Sequence, residues 1–257
     1  MLDEFVLPVV IFNKITPENK VFIFTTINST QTKVSPTEIY DLFGIVTGKS
    51  PFKLCYTIAE MFLNDSESAF YKKLKMKYKK QFEEESLSLG TFTNELLSLI
   101  STEPQKDWIN IKNTETLYDS EKLPLRKYFI RYVEEKENAE EEELEYSKNI
   151  LTLYKILFNY FGAVKDVFPI EWDNSDNFIL SKTTGFGALI KLFPYLFKIG
   201  QKNKTFTYGF FYEQFSKVKN YMIENKLDLT SKQFPSSGQS QNDLKNIFIK
   251  AIELNNI

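Results

Sequence analysis

The chain has 257 residues, enough for one large domain or two small ones, and its formal charge of −2 excludes a globally basic nucleic-acid binder. Histidine is absent and Cys55 is the single cysteine, which removes Ser-His-Asp and Cys-His catalysis, His-ligated zinc and any internal disulfide. No run is long and apolar enough to span a bilayer, and Asp3 and Glu4 stand where a secretory signal carries basic residues, so the expected setting is the cytoplasm with no membrane partner.

Phe5 to Phe12 (FVLPVVIF) is a continuous apolar run that predicts a buried strand, with Pro8 favouring an edge position or a break. Thr16-Pro17-Glu18 looks like a helix start, which predicts a helix over 18–28. A second helix is expected from Ser35-Pro36-Thr37-Glu38, where Ser35 caps and Glu38 takes the capping-box position, to near Gly44. Helices follow at about 52–64, 89–101 and 125–134. The longest, about 139–168, carries Leu144, Ile150, Leu151, Leu153, Tyr154, Leu157, Phe158, Phe161 and Val164 as a wide apolar face, and Pro169 ends it. Three more are expected at about 185–200, 207–225 and 241–254. Weak strand signals lie near Lys75–Tyr78 and Trp108–Ile111. With 24 phenylalanines, the core should rest heavily on aromatic packing. The predicted class is α+β, predominantly helical. Eight glutamates between Glu134 and Glu145 mark the sharpest change in composition and divide an N-terminal portion, 1–134, from a C-terminal helical portion, 135–257.

The order of elements in residues 5–42 resembles the ParB nuclease-like fold downstream of its G-E-R-R box. There a strand leads into E-N-x-x-R and then S-P-x-E. Setting Ser35-Pro36-Thr37-Glu38 against S-P-x-E places Asn28 on the family asparagine, while Ile27 and Gln31 stand at the Glu and Arg positions. The chain is most similar to the DGQHR-domain branch, proteins linked to DNA modification and phage defence. The likeness runs through IFTTINSTQTKVSPTEIYDLFG (23–44), SLGTFTNELLSLI (88–100), NILTLYKILFNYFGAVKDVFPIEW (149–172) and ILSKTTGFGALIKL (179–192). It implies a partial ParB-like N-terminal portion followed by a helical bundle. It also sets the D-G-Q-H-R signature upstream of Phe5, which implies a truncated product, an expressed fragment or one half of a split protein. In ParB relatives the arginine box and the E-N-x-x-R helix hold a nucleotide and a cation. The resemblance therefore implies no cofactor for this chain alone, and a nucleotide with Mg if the upstream motif is supplied.

Four segments carry candidate chemistry. Asn28 to Thr32, with Asn28, Thr30 and Gln31 as the named candidates, offers amide and hydroxyl groups to a phosphate or base; a polar helix end and turn is the alternative. Lys72, Lys73, Lys75, Lys77, Lys79 and Lys80 crowd into nine residues with Tyr78 among them. They suit a phosphate backbone with a stacked base, or else form a solvated basic loop. Lys182-Thr183-Thr184-Gly185-Phe186-Gly187 precedes an apolar helix. Its N–H groups could hold an anion, or its glycines could allow tight packing of a helix start. Ser236 to Gln241 is a similar Gly/Ser loop feeding the last helix, a second anion contact or a flexible connector. The acidic run lacks EF-hand spacing and no metal site is expected; Cys55 reads as a small core residue.

Three functions are consistent with these readings. The first is a DNA-associated component of a bacterial DNA-modification or phage-defence system, acting by DNA binding or regulation. The second is a nucleotide-hydrolysing subunit whose catalytic arginine motif lies on a missing segment or partner. The third is a helical module that docks a protein partner.

Overall fold

Serine caps and prolines set most helix starts. In the computed structural model, which describes residues 9–30, 36–43, 48–76, 82–83, 86–135 and 146–254, helix α1 spans Pro17–Thr30 and α2 spans Pro36–Phe43. Ser50 caps α3 (Pro51–Asn64), accepting from the Lys53 N–H at 3.0 Å with Pro51 in the first turn. Two short parallel strands, β1 (Leu74–Lys75) and β2 (Leu87–Ser88), pair Leu74 with Leu87. Ser88 then caps α4 (Leu89–Leu97) at the Thr91 N–H. α5 (Pro104–Lys112) and α6 (Arg126–Glu134) follow, and Ser147 caps α7 (Lys148–Val167) at the Ile150 N–H. Pro169 stops α7 and opens α8 (Pro169–Asp173). The chain closes with α9 (Thr183–Asn203), α10 (Tyr208–Glu224, capped by Thr207) and α11 (Gly238–Leu254). The protein is therefore predominantly helical.

The sequence misjudges two strands. Residues 9–12 form no strand; Val9, Val10, Ile11 and Phe12 are 52 to 86 % exposed, and an apolar run becomes a strand only beside a partner that takes its backbone hydrogen bonds. Residues 5–8 of that run lie outside the described residues. Trp108–Ile111 belongs to α5 instead, whose start is set by Pro104. Of the other weak signal, Lys75 lies in the two-residue β1, Met76 lies past its end, and 77–78 lie outside the described residues. The Ser35 and Glu38 capping box falls outside the described side chains, as do 136–145 of the acidic run.

Rings fill the centre. Phe70, in the turn after α3, packs edge-on against Phe62, Phe92, Phe161, Trp172 and Phe186 with centroids 4.9 to 5.7 Å apart. Tyr160 is a second hub, touching Phe193, Phe211 and Phe215 and donating its hydroxyl to the Leu189 carbonyl at 2.7 Å. Each such side chain is fully buried, worth roughly 1.5–3 kcal/mol of burial. These contacts join Phe62, Phe70 and Phe92 to Phe161, Trp172 and Phe186, so residues from both sides of position 134 share one core.

One buried ion pair ties the α5–α6 corner. Arg126 grips Asp107 with both terminal nitrogens, donates through Nε to the Tyr118 carbonyl at 2.7 Å and through Nη1 to the Ile100 carbonyl at 3.3 Å. Ser101 donates to the same carboxylate. Every partner of the pair is hydrogen-bonded, which is the condition under which a buried charge is tolerated.

Candidate nucleic-acid interface

Three of the segments singled out in the sequence meet at one end of the bundle. The lysine-rich segment begins in the turn that follows α3. There Lys72 takes a left-handed backbone, φ 60°, and its ammonium lies over the Tyr71 and Phe82 rings, 5.3 and 5.7 Å from their centroids. Lys73 turns the other way. It is buried, and its ammonium sits 3.2 Å from Asp173 at the end of α8. Lys75, on β1, is exposed, as strand alternation requires once Leu74 points inward. The basic surface is therefore discontinuous: Lys73 is a structural anchor and is withdrawn from any phosphate contact. Lys77, Lys79 and Lys80 lie outside the described residues.

The described ends of this segment are tied to each other and to the start of α9. The Lys73 carbonyl accepts from both Ser86 N–H and Leu87 N–H, at 3.0 and 3.1 Å. The Ser86 hydroxyl donates to the Ser181 carbonyl at 3.0 Å, and Ser181 is the residue before Lys182. This bond sets the foot of the basic loop beside the start of α9.

The start of α11 joins them. Gln241 donates from Nε2 to the Thr183 carbonyl at 3.3 Å, and further along the Tyr195 hydroxyl meets Glu253 Oε1 at 3.4 Å. α9 and α11 consequently run parallel, their N-terminal ends side by side. α4 runs the same way, since Ser86 lies at Ser181 and Phe92 stacks on Phe186 at 5.4 Å. Each helix brings about half a positive charge to its N-terminus, and here the three starts share one end of the bundle. Ser88 caps α4, and the Ser237 hydroxyl accepts from the Ser240 N–H at 3.0 Å to cap α11. α9 has no such acceptor: its N-cap residue is Lys182, whose side chain makes no capping bond.

Within the Lys182 to Gly187 segment, Lys182 is half-buried and Thr183 exposed, while Thr184, Gly185 and Gly187 are buried. The Gly185 N–H donates to the Ile179 carbonyl at 3.2 Å. A Cβ at Gly185 would overlap the Ile179–Leu180 backbone, and one at Gly187 would overlap the Gln241 side chain. Both glycines thus admit neighbouring protein, and the residues of this segment that reach solvent are Lys182 and Thr183.

Glu95 is the participant that the sequence does not reveal, while Gln241 closes the Ser236 to Gln241 segment singled out there. Glu95 on α4 accepts a hydrogen bond from Gln241 and faces Lys191 on α9; burial nevertheless pushes its carboxyl above the ordinary range, against the lowering by Lys191 and Gln241. Glu95 belongs to no candidate segment, and only the parallel packing brings it to Gln241. Asn28 and Thr30 fall in the last turn of α1, with their side chains outside the description, and Gln31 lies outside it altogether. α1 packs on α2, and no described contact joins that segment to the loop end of the bundle.

Among the described residues no group of three or more His, Cys, Asp or Glu could hold a metal ion, and no helix is long and apolar enough to cross a membrane. Fold and site together define a predominantly helical protein with an aromatic core and three helix starts gathered at one end. No family model matches the chain, and neither does any curated protein or any solved structure.

Proposed function

We propose that the protein is a DNA-associated component of a bacterial DNA-modification or phage-defence system, acting by DNA binding or regulation. The observation that carries this reading is the Ser86–Ser181 hydrogen bond, which sets the described end of the lysine-rich segment beside the start of α9, where no side chain caps the helix. Lysines and helix N-termini are both sources of the positive potential that a phosphate backbone seeks. Tyr71, 38 % exposed beside Lys72, adds a ring on which a base can stack. The sequence likeness to the DGQHR-domain family, quoted above, supplies the biological setting of the proposal.

The test is a fluorescence-anisotropy titration against short duplex DNA at several salt concentrations. Lys72, Lys75, Lys77, Lys79 and Lys80 are changed together to glutamine, leaving the anchoring Lys73 in place. Wild type should bind with an affinity that falls as salt rises, and the variant should lose about 0.9 in the log–log salt slope for each phosphate contact removed. A chain that binds no duplex at low salt, or a variant with unaltered affinity and slope, ends the proposal.

One observation favours a second reading, a module that docks a protein partner. Val9 to Phe12 present four consecutive apolar side chains to solvent, the kind of surface that a partner covers. Sedimentation of the chain with Val10 and Ile11 changed to serine, against wild type, separates the two. A docking role predicts that the wild-type chain associates and the variant does not, with DNA affinity equal in both.

A further inference from the structure

Between α8, the last turns of α10 and residues 225–229 lies a cavity of about 340 Å³, at the small end of the range that takes low-molecular-weight ligands. Phe168, Phe178, Met222 and Leu227 give it apolar walls, and Glu171, Lys219, Lys226 and Asp228 supply its charge. Lys219 Nζ stands 2.8 Å from Glu171 Oε1 and 4.8 Å from the Phe168 ring centroid. The two side chains are 29 % and 19 % exposed, lysine first, so the pair sits in the wall and remains open on one side.

The frame around the cavity is well tied. Phe178 bridges Thr230 in antiparallel fashion, and the Ile179 N–H donates to the Leu229 carbonyl at 2.9 Å. The Leu227 N–H reaches back to the Met222 carbonyl at 2.9 Å, and Lys226 takes a left-handed φ of 53° to make that turn. One group in this frame is unsatisfied: Glu171 Oε2 is buried and has no hydrogen-bond partner among the described residues. A buried acceptor without a donor points to a donor supplied from outside the chain.

The chemistry of the donor set narrows what that is. Glu171 accepts only and Lys219 donates only, so they present an acceptor and a donor side by side. Their charges cancel, as do those of Lys226 and Asp228 at the rim, and a charged guest would place an unpaired charge against four apolar walls. A neutral guest with adjacent N–H and C=O groups satisfies both partners, and a flat ring lets it lie against Phe168 and Phe178. We propose that this cavity binds a small, neutral, planar molecule through an amide or lactam edge, its N–H to Glu171 and its carbonyl to Lys219.

The probe is the lactam pyridone, titrated into the full chain by nuclear magnetic resonance, with N-methylpyridone as a shape-matched control that has no N–H to donate. Pyridone should bind with Kd on the order of 1 mM, given its few atoms, and the methylated control about tenfold more weakly or worse. Glu171→Gln and Lys219→Met should each weaken pyridone by about tenfold with circular dichroism unchanged. The comparison of the two ligands on wild-type protein decides the matter even where a variant unfolds. Absence of pyridone binding, equal binding of both ligands, or undiminished binding in folded variants overturns the proposal.

Discussion

Gly185 and Gly187 stand two positions apart on α9 and meet neighbours of different kinds. At Gly185 the obstacle is backbone, the Ile179 carbonyl and Leu180, which cannot move without shifting the turn that carries the Ile179 to Leu229 bond. At Gly187 it is the far end of the Gln241 side chain, which can swing away at the loss of its hydrogen bonds to Thr183 and Glu95. Replacing a helical glycine by alanine also recovers up to about 1 kcal/mol of backbone entropy. Gly185→Ala should therefore cost about 3 kcal/mol, whereas Gly187→Ala should fall within about 1 kcal/mol of wild type. Urea titrations of the two variants measure this directly, and equal losses would show that Gln241 is as immobile as backbone. In the sequence both residues read as one Gly-x-Gly segment, and nothing local separates them.

At the scale of elements, α4, α9 and α11 are held in parallel by polar contacts that cross between them. Glu95 on α4 is central, with Lys191 of α9 and Gln241 of α11 as its partners. Its carboxyl is raised by burial, so the folded state favours its protonated form. The contribution is fully present below the unfolded carboxyl value and is lost as pH rises through the raised folded value. Glu95→Gln should therefore be more stable than wild type at neutral pH, with the difference disappearing at about pH 4, near the unfolded value. Thermal melts of both proteins across that range test it; a variant less stable than wild type at pH 7 would mean that the Lys191 attraction outweighs burial. The same parallel arrangement gathers the helix starts on which the nucleic-acid proposal rests.

For the molecule as a whole, the question is whether the acidic run divides it. Phe70 belongs to the N-terminal side of that run, yet three of its five ring partners, Phe161, Trp172 and Phe186, belong to the C-terminal side. Trp172 additionally donates its indole N–H to the Ala69 carbonyl at 2.9 Å. A core shared in this way opens as a unit. Wild type should unfold in one transition, with near- and far-ultraviolet circular dichroism coincident in urea. Phe70→Ala should lower stability by about 3–5 kcal/mol while keeping the two signals together. Separate transitions, with the mutation affecting one alone, would restore a boundary near residue 134.

Helix number and position were largely legible in the sequence because each start carries its own chemistry. Ser50-Pro51, Ser88 and Thr207 cap or open helices within about two residues of the expected starts, whereas α7, expected from about 139, starts at Lys148 after the Ser147 cap, with 139–145 outside the described residues. Helical hydrogen bonds are local, so local residues specify them. The strand expected over 5–12 could not be judged in that way, since its hydrogen bonds must come from distant chain, and residues 9–12 find none in a strand. The candidate site divides along the same line. Its lysines and the Lys182 to Gly187 segment are visible as composition, but burial of Lys73 at Asp173 and the bonds Ser86–Ser181 and Gln241–Thr183 are long-range contacts. The sequence by itself determined the helices and the aromatic stock of the core; only the tertiary structure decided which lysines face solvent and which helix starts share one end, because those depend on contacts between residues tens of positions apart.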